Sequence, residues 1–190
     1  MKPVQEFVEG LCRFAREDFT VDRVAVYVAE NRVDPDSLSP YVFYTPTHYT
    51  RNLIYKCELF ELLAICWDVG HVSAVHNHQG QNCWMAAPIG RLAVQNYEVV
   101  KMDEATSTCE LRETDRVILD PEHPTFVDPA RPIHSVLNLA EYGQRATSLH
   151  VYSYPYDHCR VYSLEQGSSC DVPLFYDSEY GRRAPPTLSD

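Results

Sequence analysis

Two histidines separated by one residue are the feature of this 190-residue sequence that most directly suggests chemistry. His76 and His78 lie in a segment of small and β-branched residues, which favours a strand. Alternate side chains of a strand leave the same face, so the two imidazoles can converge on one ion. Alone, the pair indicates a metal site no more strongly than a strand that buries two hydrogen-bonded histidines.

Two other groups of residues could act on a small substrate. Arg51 lies among apolar and aromatic residues, where a guanidinium needs an anionic partner. Alone, this position indicates an internal ion pair more strongly than a substrate carboxylate, and the nearby histidine motif reverses that preference. Ser148, His150 and Tyr152 alternate along a second predicted strand, so they share one face and can form a hydrogen-bonded chain. On its own, this alternation is more typical of an ordinary half-buried strand.

The surroundings of the histidine pair favour the metal interpretation. The segment from residue 70 to residue 90 resembles the first motif of the cupin superfamily. It has Gly70, five further residues, His76-x-His78, four further residues, Cys83, six further residues and Gly90. In that motif the position of Cys83 is usually glutamate. A second cupin motif follows, with arginine in place of its glycine, at Pro129, Arg131, His134 and Asn138. The resemblance implies a β-barrel with an interior metal.

The cysteine at the usual glutamate position makes three neutral imidazoles the expected ligand set. Such a site keeps the full charge of a dipositive ion and open positions, which suits a substrate that brings a thiolate and leaves room for dioxygen. Non-haem iron and hydrolytic zinc both fit three histidines, and spacing does not choose between them. A thiolate ligand from Cys83 also stays open.

Further segments give a more specific resemblance. The sequence resembles cysteine dioxygenases in several segments that occur in the same order along the chain. These are residues 49–53, 65–67 and 148–153, together with the histidine motif and Cys83. The correspondence extends from about residue 40 to residue 165. It implies an iron enzyme that converts L-cysteine and dioxygen into cysteine sulfinate.

The same resemblance implies a role for each site residue. Fe(2+) would be held by His76, His78 and His134. Arg51, with Tyr49 beside it, would bind the substrate carboxylate. His150 and Tyr152 would order the oxygen side of the pocket, with Ser148 supporting them. Cys83 and Tyr152 would be joined by a thioether bond.

Two alternatives stay open at this point. A dioxygenase of the same fold could act on another small thiol, such as 3-mercaptopropionate or cysteamine. Related enzymes that act on 3-mercaptopropionate typically lack the arginine at the position of Arg51, which favours cysteine. The second alternative is a non-catalytic cupin that binds a metal or a small acid.

The elements that must position these residues follow from the periodicity of the sequence. Residues 1–38 predict a helical N-terminal cover, because apolar residues recur there at spacings of three and four. Residues 41–165 consist of short segments rich in Val, Ile, Tyr and Thr between turn residues, which is typical of an antiparallel jelly-roll barrel. We expect a mainly β protein with one cupin domain over residues 1–175 and a polar C-terminal tail at 176–190.

Composition limits the partners. Twenty-seven acidic residues against sixteen basic ones give a net charge of −11, which repels nucleic acid and anionic membrane surfaces. No apolar run approaches the length of a membrane span, and neither a secretory signal nor a CxxC pair is present. We therefore expect a cytoplasmic monomer that binds small molecules and neither nucleic acid nor membrane.

Overall fold

The computed structural model describes residues 1–183 as two β-sheets with helices on one side. The helices are α1 (Val4–Cys12) and α2 (Val21–Glu30), and 3-10 turns lie at Arg16–Asp18, Pro35–Tyr41 and Ala140–Tyr142. The strands are β1 (Thr50–Lys56), β2 (Glu61–Trp67), β3 (Val75–His76), β4 (Asn82–Ile89), β5 (Leu92–Asp103), β6 (Thr108–Leu119), β7 (Thr125–Phe126), β8 (Ile133–Leu137), β9 (Ala146–Ser153), β10 (His158–Ser163), β11 (Ser168–Pro173), β12 (Ser178–Glu179) and β13 (Arg182–Arg183). In this part of the chain, none of the helices has the length and apolar character needed to span a bilayer.

The strands form a two-sheet jelly roll. The first sheet has the order β13-β12-β1-β2-β9-β4-β7, and the second has the order β10-β11-β6-β5-β8-β3. Strand β3 also pairs with β10, so the second sheet closes on itself through short pairings. The prediction of a mainly β jelly roll with N-terminal helices is confirmed. The barrel consists of two facing sheets and is not one continuous ring of strands.

The interior between the sheets is filled by alternate residues of both sheets. This follows from the two-residue period of a strand, which directs every second side chain inward. Apolar residues that pack there include Leu53, Leu63, Ile65, Met85, Val94 and Val136. The positions that alternate with them on the first sheet point outward, toward the helices.

Helices α1 and α2 cover the outer face of the first sheet. Val4, Phe7 and Leu11 form a buried stripe along α1, as their spacing predicts. They belong to the same core as Trp84, which lies on the outward face of β4. The indole Nε1 of Trp84 donates a hydrogen bond of 2.9 Å to the carbonyl oxygen of Val21, which joins α2 to the sheet.

The C-terminal part of the chain differs from the predicted tail. Strands continue past residue 165, and residues 178–183 add β12 and β13 to the edge of β1. The buried Ser178 donates a hydrogen bond of 2.8 Å from Oγ to Oδ1 of Asn52. A polar sequence can form an edge strand because pairing there uses backbone groups, which composition does not reveal. The remainder of the predicted tail, residues 184–190, lies outside the described residues.

A tight turn carries the chain from the second sheet to the first. The N–H of Gln81 donates to the carbonyl oxygen of His78, and both central residues, Gln79 and Gly80, have positive φ. That combination is typical of a type I′ turn, for which glycine is well suited. The turn limits β3 to Val75–His76, so this strand is shorter than the sequence pattern predicts.

Candidate metal centre and substrate pocket

Three histidines come together in the interior of the jelly roll. His76 lies directly opposite His134 where β3 pairs with β8, and His78 follows at the turn. The ring centroid of His76 is 5.2 Å from that of His78 and 4.6 Å from that of His134. One nitrogen from each of the three rings lies within 4.8 Å of the other two. This spacing allows all three rings to bind one ion.

The ring nitrogens have few partners within the protein. His78 and His134 are buried, and neither nitrogen of either ring has a hydrogen-bond partner among the described residues. Nδ1 of His76 is 2.9 Å from the carbonyl oxygen of Ala74, which leaves its Nε2 for a ligand. Buried polar atoms without partners are rare, and three imidazoles suit a divalent transition metal. The residues present therefore fit a metal ion.

Burial also keeps these imidazoles neutral, as metal binding requires. It lowers the pKa of His76 to about 4. The pKa values of His78 and His134 are well below the usual range, because of burial and the proximity of the other histidines. At neutral pH, each ring therefore has a lone pair to offer a metal.

A hydrogen-bonded chain runs along the inward face of β9. The indole Nε1 of Trp67 donates to Oγ of Ser148 over 2.9 Å. Oγ of Ser148 is 2.9 Å from Nε2 of His150, and Nδ1 of His150 is 3.0 Å from the hydroxyl of Tyr152. The alternation in the sequence predicts this arrangement. The chain holds the ring of Tyr152 with its centroid 5.2 Å from that of His78.

Cys83 lies on the strand next to this chain. It is directly opposite Tyr152 in the pairing of β4 with β9, and its Sγ is 3.8 Å from Nδ1 of His150. Burial raises the pKa of both the Cys83 thiol and the Tyr152 phenol, so both are protonated at neutral pH. Within the described residues, Cys83 is not part of the three-histidine group, which argues against a thiolate ligand.

Arg51 extends into the same interior from β1. Two of its guanidinium nitrogens, Nε and Nη2, are buried and have no hydrogen-bond partner among the described residues. Tyr49, two positions earlier, stacks on Trp67 with a centroid distance of 4.6 Å. Since a buried guanidinium needs a partner, this arrangement suits an anionic group of a ligand.

A model of the family "Cysteine dioxygenase type I" matches residues 3–165 of the chain. The chain belongs to this family. Cysteine dioxygenase type 1 of Homo sapiens is 26% identical to it over 177 residues, which cover 93% of this chain and 86% of that protein. Cysteine dioxygenase type 1 of Danio rerio is 26% identical over 195 residues, which cover 100% of this chain and 94% of that protein. The sequence resemblance to cysteine dioxygenases is thus confirmed.

Solved structures with a similar backbone share less sequence with this cysteine dioxygenase family member. A protein with a double-stranded β-helix domain from Klebsiella pneumoniae has a TM-score of 0.48 at 12% identity, with 77% of this chain and 93% of that chain covered. TT1209 from Thermus thermophilus has a TM-score of 0.47 at 20% identity, with 65% of this chain and 98% of that chain covered.

The structure of this cysteine dioxygenase family member also adds pocket residues that the sequence did not single out as functional. Tyr156 lies with its ring centroid 5.2 Å from that of Tyr152 and 6.0 Å from that of His78. Glu61 is fully buried at the start of β2 and accepts a hydrogen bond from Tyr176. The available signal for Glu61 was an acid two and four residues before the apolar inward positions Leu63 and Ile65 of the same strand. Tyr176 gave none, because it falls in the predicted tail.

Proposed function

We propose that this protein is an iron-dependent dioxygenase that converts L-cysteine and dioxygen into cysteine sulfinate. Family membership supports the reaction class. The observation that carries the proposal is the meeting of two features in one interior. A neutral three-histidine group lies in the same interior as the guanidinium of Arg51, and two buried nitrogens of that guanidinium have no partner among the described residues.

The proposed metal ligands are His76, His78 and His134. Ferrous iron bound there would supply a redox-active centre for the reaction of a thiolate with dioxygen. The protein prepares the site by keeping the three rings deprotonated and by holding His76 opposite His134 across two paired strands. No acidic residue belongs to this group in the described part of the chain, so an anionic substrate would not be repelled by a neighbouring carboxylate ligand.

Arg51 is the proposed carboxylate-binding residue, with Tyr49 beside it. The planar guanidinium can donate two parallel hydrogen bonds to a carboxylate, which would orient the thiol of the substrate relative to the histidines. Stacking of Tyr49 on Trp67 supports this wall of the pocket. Binding of the carboxylate also supplies the partner that the buried nitrogens of Arg51 lack.

Tyr152, His150 and Cys83 are the proposed catalytic group. Because its pKa is raised by burial, the phenol of Tyr152 keeps its proton at neutral pH and can donate a hydrogen bond to the reactants. His150 holds that hydroxyl on one side and Ser148 on the other. The thiol of Cys83 faces Tyr152 across the strand pair, the position from which a thioether bond to the ring could form.

The experiment that tests this proposal uses purified protein loaded with ferrous iron and supplied with L-cysteine in air. Dioxygen should be consumed in step with the formation of cysteine sulfinate, and both oxygen atoms of an isotopically labelled dioxygen should enter the product. His134→Ala should lose the iron and the activity, whereas His158→Ala, a change at an exposed histidine, should keep both. Iron-loaded protein that takes up no dioxygen would exclude the proposal.

The alternatives predict other results in the same assay. A thiol dioxygenase of different specificity would oxidise 3-mercaptopropionate or cysteamine faster than L-cysteine. In that case Arg51→Ala would have little effect on the preferred substrate if it lacks a carboxylate. A non-catalytic cupin would bind cysteine under argon and leave it unoxidised when air is admitted, and a hydrolytic zinc site would retain zinc in preference to iron during purification.

A further inference from the structure

Glu61 has a buried carboxylate in which one oxygen has partners within the protein and the other has none among the described residues. Its Oε2 accepts a hydrogen bond from the hydroxyl of Tyr176, and Nζ of the half-exposed Lys56 is 3.8 Å from the same oxygen. Its Oε1 is buried and has no partner among the described residues. An acceptor in that position costs free energy unless a ligand or a water molecule supplies a donor.

The strand register places Glu61 beside the proposed catalytic residues. Glu61 lies directly opposite Tyr152 in the pairing of β2 with β9, and Tyr152 lies opposite Cys83 in the pairing of β9 with β4. Side chains that are directly opposed have Cβ atoms about 5 Å apart. Glu61 shares the inward face with Leu63, which packs in the interior core. The carboxylate is therefore one strand away from the ring that contacts His78.

Glu61 and Arg51 carry opposite charges in this interior, yet they do not pair. No ion pair joins them within residues 1–183, and each keeps polar atoms without a partner. They are close enough for each to shift the pKa of the other. Lys56 forms an ion pair with Oε2 of Glu61, so what stays available to a ligand is the free acceptor Oε1 and the free donors of Arg51. A ligand that has both a donor and an anionic end would satisfy the two groups.

We propose that Glu61 is a specificity-determining residue that accepts a hydrogen bond from the amino group of the substrate. The pocket would then favour small thiols that carry both a carboxylate and an amine over those that carry a carboxylate alone. Arg51 binds the first group and Glu61 the second. This inference rests on the proposed function, because it concerns the substrate of the same site.

The test compares the binding of two thiols that differ in the amino group. Dissociation constants for L-cysteine and 3-mercaptopropionate are measured by calorimetry under argon, with iron-loaded wild-type protein and with Glu61→Gln. The variant should bind L-cysteine about tenfold more weakly, since the acceptor loses its charge and its hydrogen bond to the amino group becomes weaker. Its affinity for 3-mercaptopropionate should stay within about twofold, which also shows that the variant is folded.

Two further variants separate a local effect from a general one. Glu58→Gln removes the same charge from an exposed position in the turn before β2 and should leave both constants unchanged. Glu61→Leu removes both oxygens and should reproduce the selective loss. Equal loss of affinity for both thiols, or no loss for L-cysteine, would overturn the inference.

The turnover of the same proteins in air distinguishes this inference from the proposed function. Wild-type protein that oxidises L-cysteine, with an unchanged preference in Glu61→Gln, would leave the dioxygenase proposal standing and exclude the role of Glu61. Wild-type protein that oxidises no thiol but binds L-cysteine with a selectivity that Glu61→Gln loses would exclude the dioxygenase proposal and support the role of Glu61. Wild-type protein that binds neither thiol would overturn both.

Discussion

At the scale of single residues, the pocket contains polar groups that cost stability. The carboxylate of Glu61 and the guanidinium of Arg51 are buried with atoms that lack partners, although each could have been replaced by an apolar residue at lower cost. Burial raises the pKa of Glu61, which means that the folded state disfavours its charged form. A destabilising charge at the proposed substrate pocket agrees with the proposed role of Glu61 in binding.

The raised pKa of Glu61 predicts a change in stability that depends on pH. A carboxyl group whose pKa is higher in the folded state than in the unfolded state does not destabilise the protein at a pH below its unfolded pKa. It lowers the free energy of unfolding increasingly as the pH rises through its folded pKa. Glu61→Gln should therefore raise the free energy of unfolding at neutral pH, and the gain should disappear below the ordinary glutamate pKa of 4.5. Urea unfolding of both proteins across this range measures the effect. An equal difference at all pH values would contradict it.

The facing positions of Cys83 and Tyr152 predict a covalent product. Formation of the thioether removes one hydrogen from the thiol and one from the tyrosine ring, and dioxygen is the oxidant. After turnover, wild-type protein should show a faster-migrating species on a denaturing gel, with the loss of two hydrogen atoms in its mass spectrum. Cys83→Ser should lack that species, whereas Cys159→Ser should retain it. A wild-type protein that never forms it would exclude the crosslink without excluding the enzyme.

At the scale of elements, the C-terminal segment holds the strand that carries Arg51. The N–H of Asp177 donates to the carbonyl oxygen of Arg51, and Oδ2 of Asp177 accepts the N–H of Arg51, each over 2.8 Å. Oδ1 of the same aspartate is 3.1 Å from Nε2 of His48. Segments that are distant in sequence thus meet at the backbone of the proposed carboxylate-binding residue, and β12 follows directly as the next strand of the sheet.

Removal of the Asp177 carboxylate should loosen this part of the pocket. We expect Asp177→Ala to lower the free energy of unfolding by about 1–2 kcal/mol, because the N–H of Arg51 loses its acceptor. The KM for L-cysteine should rise severalfold with a smaller change in kcat, since the carboxylate is bound less precisely but the histidines are untouched. Denaturant unfolding and steady-state oxygen uptake measure the two effects. Glu110→Ala, at an exposed position of β6, is the control and should change neither.

At the scale of the whole molecule, the proposed site lies inside a structure of three layers, one of helices and two of strands. The helices cover one face of the first sheet, and the interior between the sheets contains four histidines of which three form the proposed metal group. Burial lowers the pKa of all four, to about 4 for His76 and about 3 for His150. The folded state therefore favours neutral imidazoles, and protonation of these rings lowers the free energy of unfolding.

These lowered pKa values predict acid sensitivity of the metal-free protein. Histidines with depressed pKa values take up protons when the chain unfolds, so stability is present above their unfolded pKa of 6.5 and is lost as the pH falls toward the folded values. Each such histidine should contribute roughly 1.4 kcal/mol per pH unit below that point. Urea unfolding between about pH 7.5 and pH 5 measures the slope. His150→Gln should give a shallower slope, and an identical slope would contradict the prediction.

The sequence by itself determined the fold class, the helical cover and most of the proposed site. A helix and a strand have short periods, so the apolar stripe of α1 and the alternation of Ser148, His150 and Tyr152 are readable without a structure. The family motifs added His134 and assigned Arg51 its role in binding the carboxylate. These features depend on neighbouring residues or on a family pattern, which are both present in a linear sequence.

Only the tertiary structure decided which distant segments meet. It brought His134 opposite His76, made residues 178–183 part of the sheet that carries Arg51, and placed Glu61 beside Tyr152 with one buried oxygen that has no partner among the described residues. No local period encodes these meetings, because strand register is set by packing across the interior and by backbone hydrogen bonds that any residue except proline can make. Whether a buried polar group has a partner is likewise a property of the assembled interior, since the partner comes from another strand.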